Sequence, residues 1–303
     1  MKPAPFDYFA PASTKEAISL LTEYGETAKI LAGGQSLVPL LNFRLARPQV
    51  LVDINRVQEL SYISESEKGI RIGALTRHRA LETSPLVMAK CPILGFAARF
   101  IGHVTIRNRG TFGGSLAHAD PAAEFPLVLT VLGARILIRG ADRERTLAPK
   151  EFFLDLLTTA LQPTEILVEA WIPRLEKRTG WGFRELALQH GAFAIVAAAA
   201  LITLDEQGVC TDARIALGSV APVPVRSEQA ENLLRGEKLN AKLLAEAARI
   251  AAQVREPSSD IHASAEYRTA MAEVLACRAL FDAFARAQQG ELWRESNASS
   301  GSG

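Results

Sequence analysis

AGGQSLVPLLNFRLARP, starting at Ala32, and RGTFGGSLAHADPAAEFP, starting at Arg109, each place a glycine pair before a polar residue with serine and leucine close by. Glycine has no side chain to pack, so a pair suggests a backbone that approaches something closely. Successive N–H groups in a glycine turn form a concave nest for anionic oxygens. The hydroxyls of Ser36 and Ser115 add donors. Two such loops, about 80 residues apart in the chain, can clasp a diphosphate from both sides. Either pair alone also reads as a tight turn, and the matching Ser-Leu context favours anion binding only modestly. Neither stretch is G-x-G-x-x-G or G-x-x-x-x-G-K-[ST], so a Rossmann or P-loop site has no support.

Other chemistries find less material. The three cysteines, Cys91, Cys210 and Cys277, are far apart and form no C-x-x-C. That argues against a disulfide framework. An all-cysteine iron–sulfur cluster needs four thiolates, more than this chain holds. The five histidines are scattered, and none sits in a metal-binding spacing; no metal site is expected. A net charge of +1 and a pI near 7.8 point to neither nucleic acid nor an anionic membrane.

The elements that hold the glycine loops follow from the pattern. The first 55 residues read as strand, helix, strand, loop, strand. Ser13 and Glu16 form a capping box, Ala17, Leu20, Leu21 and Tyr24 line one helical face, and Gly25 stops the helix. KILAGG runs as a strand into the first loop, and VLVDIN from Val50 is a buried strand. Glu67-Lys68-Gly69 marks a hairpin. Helical periodicity from Arg77 to Phe100 is broken by Pro85 and Pro92. Asp120-Pro121 reads as a helix start. ARILIRG and EILVEAWIP are further strands, and the charged stretch Pro173 to Gly180 is a domain boundary. Beyond it lie three strands, GWGFRELAL, FAIVAAAALITLD and CTDARIALGSV, then alanine-rich helices over Leu239 to Val254 and Ala265 to Gln288. The apolar run Phe193 to Leu204 is too short to span a bilayer and reads as a buried strand. The N-terminus lacks the apolar run of a signal peptide. A soluble, cytoplasmic protein is expected, with a disordered Gly/Ser tail over 291–303.

LAGGQSLVPLLNFRLARPQVLVDIN and TIRNRGTFGGSLAHADPAAEFP together resemble the FAD-binding medium subunit of the molybdenum hydroxylase family. That family includes carbon monoxide, xanthine, nicotine and quinoline dehydrogenases. LDEQGVCTDARIALGSVAPVPVRS and SAEYRTAMAEVLACRAL extend the resemblance over nearly the whole chain. It implies an α+β fold: a two-subdomain FAD-binding domain of the vanillyl-alcohol oxidase type over residues 1–176, divided near 55. A C-terminal domain with a three-stranded sheet and helices follows over 177–290.

The resemblance also implies a cofactor site. Ala32, Gly33, Gly34, Gln35, Ser36 and Leu37 wrap the FAD pyrophosphate, and Thr111, Gly113, Gly114, Ser115 and Ala117 meet it from the other side. Asp120 and Glu124 match acidic positions near the ribityl chain and flavin ring, although Asp120 is also a good helix cap in its own right. Ile101 and Gly102 enclose the cofactor beside the second loop, and Leu167 covers the ring system. Arg184 holds an often-basic position near the ring, where a cation stabilises anionic reduced flavin. Phe193 lies against the isoalloxazine. Many relatives have Asp at the position of Ala192, so the hydrogen bonding there differs.

In the resembled enzymes a large subunit carries the molybdenum cofactor and a small subunit carries two [2Fe-2S] clusters. Electrons reach FAD on the medium subunit and pass to an external acceptor. The expected assembly is a heterotrimer, paired into a dimer of heterotrimers, with an extensive interface to the large subunit. The low cysteine count fits, and argues against the 4-hydroxybenzoyl-CoA reductase branch with its cysteine-rich insertion. No catalytic side chain is expected on this chain. Two alternatives are a self-sufficient FAD-dependent oxidase or reductase, and an assembly subunit that has lost FAD. The first lacks a convincing base or substrate clamp, and the second is opposed by two intact glycine motifs.

Overall fold

The computed structural model describes residues 2–254, 257 and 259–290. The first layer comprises β1 (Asp7–Phe9), α1 (Thr14–Tyr24), β2 (Ala28–Leu31), α2 (Leu37–Asn42) and β3 (Val50–Asp53). The hairpin β4 (Ile63–Ser66) and β5 (Gly69–Gly73) follows. Then come α3 (His78–Thr83), α4 (Pro85–Lys90), α5 (Pro92–Ala98), α6 (Val104–Arg109), α7 (Phe112–His118) and α8 (Glu124–Leu132). The N-terminal portion closes with β6 (Arg135–Arg139), β7 (Glu144–Leu147), α9 (Pro149–Phe152), β8 (Phe153–Asp155), β9 (Thr158–Thr159) and β10 (Ile166–Pro173). The rest is β11 (Thr179–Ala187), β12 (Ala194–Leu204), β13 (Cys210–Gly218), β14 (Val225–Arg226), α10 (Glu228–Leu234), α11 (Ala241–Ala251) and α12 (Ala265–Gln289).

Local chemistry explains the boundaries. Ser13 Oγ accepts from the Glu16 N–H at 3.2 Å, and the Glu16 carboxylate accepts from Ala12 N–H at 2.9 Å, so α1 starts where its box places it. Pro85 and Pro92 each open a new short helix at its first turn. β1, β3 and β2 form a parallel sheet in that order. β4-β5-β10-β6-β7 form an antiparallel one. The central strand β10 serves two cores. Ile166 and Val168 pack with Ala17, Val50 and Val52; Leu167, Ala170 and Ile172 pack with Phe112, Phe125 and Leu129.

The third sheet, β11-β12-β13-β14, is antiparallel, and every residue of β12 is buried. Ala197, Ala199 and Leu201 turn to the core built on Phe112, Phe125 and Leu129. Val196, Ala198, Ala200 and Ile202 turn to α11 and α12. A Cβ on Gly182 would stand 1.9 Å from the Ala279 carbonyl oxygen, and one on Gly180 equally close to that of Ala283. Bare backbone at these two positions therefore lets α12 seat directly on β11.

Five sequence expectations are corrected. Leu37–Asn42 is helical rather than loop. The three C-terminal strands gain a short fourth, β14. α6, α7, β7, β8, β9, α9 and α10 were not foreseen, and the second glycine stretch, expected as a loop, opens α7. Asp120 does not cap α8: its Oδ1 accepts from the Ala122 N–H at 2.8 Å in a preceding turn, and the helix starts at Glu124. The Pro121 carbonyl is taken by the Ser219 N–H at 3.0 Å, so it is not available to a helical partner. The tail over 291–303 lies outside the described residues.

Candidate functional site

The fold brings the two glycine loops into contact. A Cβ on buried Gly33 would lie 2.5 Å from the Arg109 carbonyl oxygen and 2.8 Å from Gly110 Cα. Gly34 has φ +73°, a backbone conformation that favours glycine. The backbone N–H groups of Gly33, Gly34, Gln35 and Ser36 donate to no acceptor among the described residues. The first loop thus offers unspent donors on a tight turn at the end of β2. Its shape is held from inside, with Gln35 Nε2 donating to the Gly33 carbonyl at 3.1 Å.

The second glycine pair differs: it lies not in a loop but in the first turn of α7, which the Thr111 hydroxyl caps. Phe112 N–H donates to the Thr76 carbonyl and Gly113 N–H to the Ala74 carbonyl, both at 2.8 Å, and Ser115 N–H donates to the Thr111 carbonyl. Gly114 N–H has only a long 3.2 Å contact with Thr111 Oγ1. Most of this segment's amides are therefore spent on its own scaffold. What it presents is the Ser115 hydroxyl; a Cβ on Gly114 would stand 2.6 Å from Thr111 Oγ1, so bare backbone there lets the cap close. Ala117 is exposed on α7, one turn beyond Gly113.

Side chains that the sequence did not single out fix these loops. His78 Nε2 lies 2.9 Å from the Thr111 carbonyl, so it donates, and the imidazole is the Nε2–H tautomer. Burial pushes its pKa down to about 4, and the ring is neutral at physiological pH. Arg107, itself buried, donates from Nη1 to the carbonyls of Ile101 (3.1 Å) and Gly102 (2.8 Å) and from Nε to Glu82 (2.8 Å). Arg77 donates to the Arg109 carbonyl and, at 2.7 Å, to Asn55 Oδ1. Asn55 Nδ2 in turn donates to the Ala32 carbonyl at 2.8 Å.

Above Gly102 runs the loop between β11 and β12. A Cβ on Gly191, at φ +80°, would stand 2.8 Å from the Gly102 carbonyl oxygen, so the two segments touch. Leu188 and Phe193 of this loop are 68% and 76% exposed. Leu167 is buried on β10 beside α7 in the core. Strand alternation settles the direction of Arg184. Gly180, Gly182 and Arg184 share the α12 face, and Arg184 pairs bidentately with Asp282 at 2.7 and 2.9 Å. Trp181 and Phe183 pack instead against Phe96 and Phe100.

Glu185 shares the Trp181 and Phe183 face by the same alternation. One of its carboxylate oxygens is buried with no hydrogen-bond partner, and burial pushes its pKa up to about 7. Glu124, at the first position of α8, is raised well above the usual carboxylate range by burial, then by repulsion from Glu185 and, less, from Asp120. The G-x-G-x-R-E run of β11 carries the missed signal: glycines on one face mark the helix-packed side, so the glutamate faces the other way. No group of side chains among the described residues is placed to hold a metal ion.

Residues 4–175 match the family described as the FAD binding domain in molybdopterin dehydrogenase. Residues 181–283 match the CO dehydrogenase flavoprotein C-terminal domain. The chain belongs to this FAD-binding medium-subunit family of the molybdenum hydroxylases. It is 45% identical to the 6-hydroxypseudooxynicotine dehydrogenase complex subunit alpha of Paenarthrobacter nicotinovorans, over 95% of this chain and 97% of that one. Identity to the carbon monoxide dehydrogenase medium chain of Hydrogenophaga pseudoflava is 38%, over 94% and 99% of the two chains. A solved carbon monoxide dehydrogenase structure from the latter organism superposes with a TM-score of 0.92 at 39% identity, covering 94% of this chain and 99% of that one. The donor set fits that family's cofactor: among the described residues the amides at Gly33–Ser36 and the hydroxyls of Ser36 and Ser115 have no acceptor.

Proposed function

We propose that this chain is the FAD-carrying electron-transfer subunit of a heterotrimeric molybdenum hydroxylase. It takes electrons from [2Fe-2S] clusters of a small subunit and passes them to an external acceptor, while a large subunit holds the molybdenum cofactor and oxidises the substrate. The observation that carries this reading is the contact of the two glycine loops at Gly33 and Arg109, with the first loop's amides unspent. Two relatives support the subunit role by name, one as a complex subunit and one as a medium chain. The assembly is proposed to pair into a dimer of heterotrimers in the cytoplasm. No helix among the described residues is long and apolar enough to cross a membrane.

In this reading the amides of Gly33–Ser36 and the Ser36 hydroxyl hold the diphosphate from one side, and the Ser115 hydroxyl holds it from the other. Ala32, Leu37, Thr111, Gly113, Gly114 and Ala117 shape the walls. Ile101 and Gly102, pinned by Arg107, form the rim beside the second loop. Phe193 and Leu167 supply apolar cover for the ring, and Glu124 with Asp120 lies towards the ribityl chain. When bound, FAD supplies one- and two-electron redox chemistry, and the protein supplies position and electrostatics. Burial raises both Glu124 and Glu185 above the usual carboxylate range and favours their protonated forms. Arg184, occupied by Asp282, acts on the site only at a distance.

The test is anaerobic. The purified chain with FAD bound is mixed with N-heterocycles, purines, aldehydes or carbon monoxide, and the flavin absorption is followed. No bleaching alone, then bleaching once the two partner subunits are added, is expected. Bleaching of the lone chain by any of these substrates would favour a self-sufficient flavoenzyme and overturn the proposal.

A further inference from the structure

The two glycine loops are 80 residues apart in sequence, yet a diphosphate needs them at one fixed separation. Backbone contact alone does not set that separation. Gly33 touches the Arg109 carbonyl, and a single van der Waals contact can slide. Arg77 links the two sides of the gap, one directly and the other through Asn55. Arg77 follows the turn after β5, where its backbone forms an antiparallel bridge with Thr111. The flanking bonds, His78 N–H to the Gly110 carbonyl at 3.0 Å and Phe112 N–H to the Thr76 carbonyl at 2.8 Å, anchor it beneath the second loop.

From that anchor the guanidinium forks. Nη1 donates to the Arg109 carbonyl, the group that meets Gly33. Nη2 donates to Asn55 Oδ1 at 2.7 Å, and Asn55 Nδ2 donates to the Ala32 carbonyl at 2.8 Å, immediately before Gly33. Asn55 is itself fixed at the end of β3, where Asp53 Oδ1 accepts from its backbone N–H at 2.9 Å and its Nδ2 at 2.6 Å. The Arg109 carbonyl is thus tied to one rigid, planar cation directly, and the Ala32 carbonyl to the same cation through Asn55. Guanidinium is suited to this because its donors diverge in a fixed plane, which the point charge of lysine does not reproduce.

We propose that Arg77 is a positioning residue whose forked guanidinium fixes the spacing of the two glycine loops, and through that spacing selects diphosphate-bearing flavin. The inference rests on the flavin-subunit reading. It adds a determinant of cofactor choice: FAD and ADP, which carry the diphosphate, depend on the clamp, and riboflavin, which has none, does not.

The experiment measures affinity of the full chain, stripped of flavin, for FAD, ADP and riboflavin by fluorescence titration, for wild type, Arg77→Met, Arg77→Lys and Asn55→Ala. Wild type must bind FAD; if it does not, the flavin reading itself has failed, and not the clamp. Arg77→Met is expected to weaken FAD and ADP by about tenfold to a hundredfold and riboflavin by less than about twofold. Arg77→Lys is expected to fall close to Arg77→Met, because charge without the fork does not join the loops. Asn55→Ala, at the far end of the clamp, should show the same selective loss at smaller size, and serves where an Arg77 variant does not fold. Wild-type affinity in Arg77→Lys would show that charge alone suffices and overturn the proposal. Equal loss for riboflavin and FAD would do so too, since it would mark a general structural defect.

Discussion

Glu185→Gln offers a test with a definite sign. The glutamine keeps the shape of the side chain and removes its proton equilibrium. In the folded chain burial lifts the Glu185 pKa to about 7, against an ordinary value of 4.5. The folded state therefore keeps a proton that the unfolded chain releases. Stability from this source is fully present below pH 4.5 and is lost as pH rises through about 7. The displacement corresponds to roughly 3 kcal/mol, and about 2 kcal/mol is expected once local water and relaxation are allowed for. Urea unfolding of the purified chain at pH 5 and pH 8 reads it directly. The variant should lie within about 1 kcal/mol of wild type at pH 5 and exceed it at pH 8 by about 2 kcal/mol. Relief of Glu124, which the Glu185 charge pushes up, acts in the same direction. An equal difference at both pH values would refute the burial argument.

Two other substitutions separate packing from cofactor roles. Gly182→Ala sets a Cβ 1.9 Å from the Ala279 carbonyl oxygen, and neither backbone can yield easily; unfolding should cost about 3 kcal/mol or more, and a loss under about 1 kcal/mol would show that α12 is free to shift. Phe193→Ala removes a side chain that is 76% exposed, so urea stability should stay within about 0.5 kcal/mol. Flavin absorption and oxygen reactivity should change, and an unaltered spectrum would mean the ring points elsewhere.

The sequence was most legible where one residue type has one job. Ser13 with Glu16, the prolines at 85 and 92, and the turn at Glu67-Lys68-Gly69 each mark a boundary that the backbone respects. Both glycine loops announced themselves through residues that serve poorly for anything else. The supports did not. Arg77, Asn55, His78 and Arg107 act through long-range contacts to backbone carbonyls, and no local spacing encodes such a partner. Asp120 misled because its side chain does cap something, a turn rather than the helix. Short polar strands such as β7 and β9 exist only because a neighbour pairs with them, so their own residues carry little signal. Glu185 was legible: alternation from Gly180 and Gly182 assigns its face, opposite that of Arg184.

The strand β12 has a consequence for how such proteins can be cut and recombined. Its eleven residues are buried on both faces, one against the FAD-type core and the other against α11 and α12. The connection before β11 therefore looks like a seam in the chain but not in the hydrophobic interior. A fragment ending there would leave Leu127 without Gly218 of the sheet that covers it, and the severed half would carry a bare row of alanines. Exchanging this half between relatives is in effect a core transplant: the donor sheet must match, methyl for methyl, a surface it did not evolve beside.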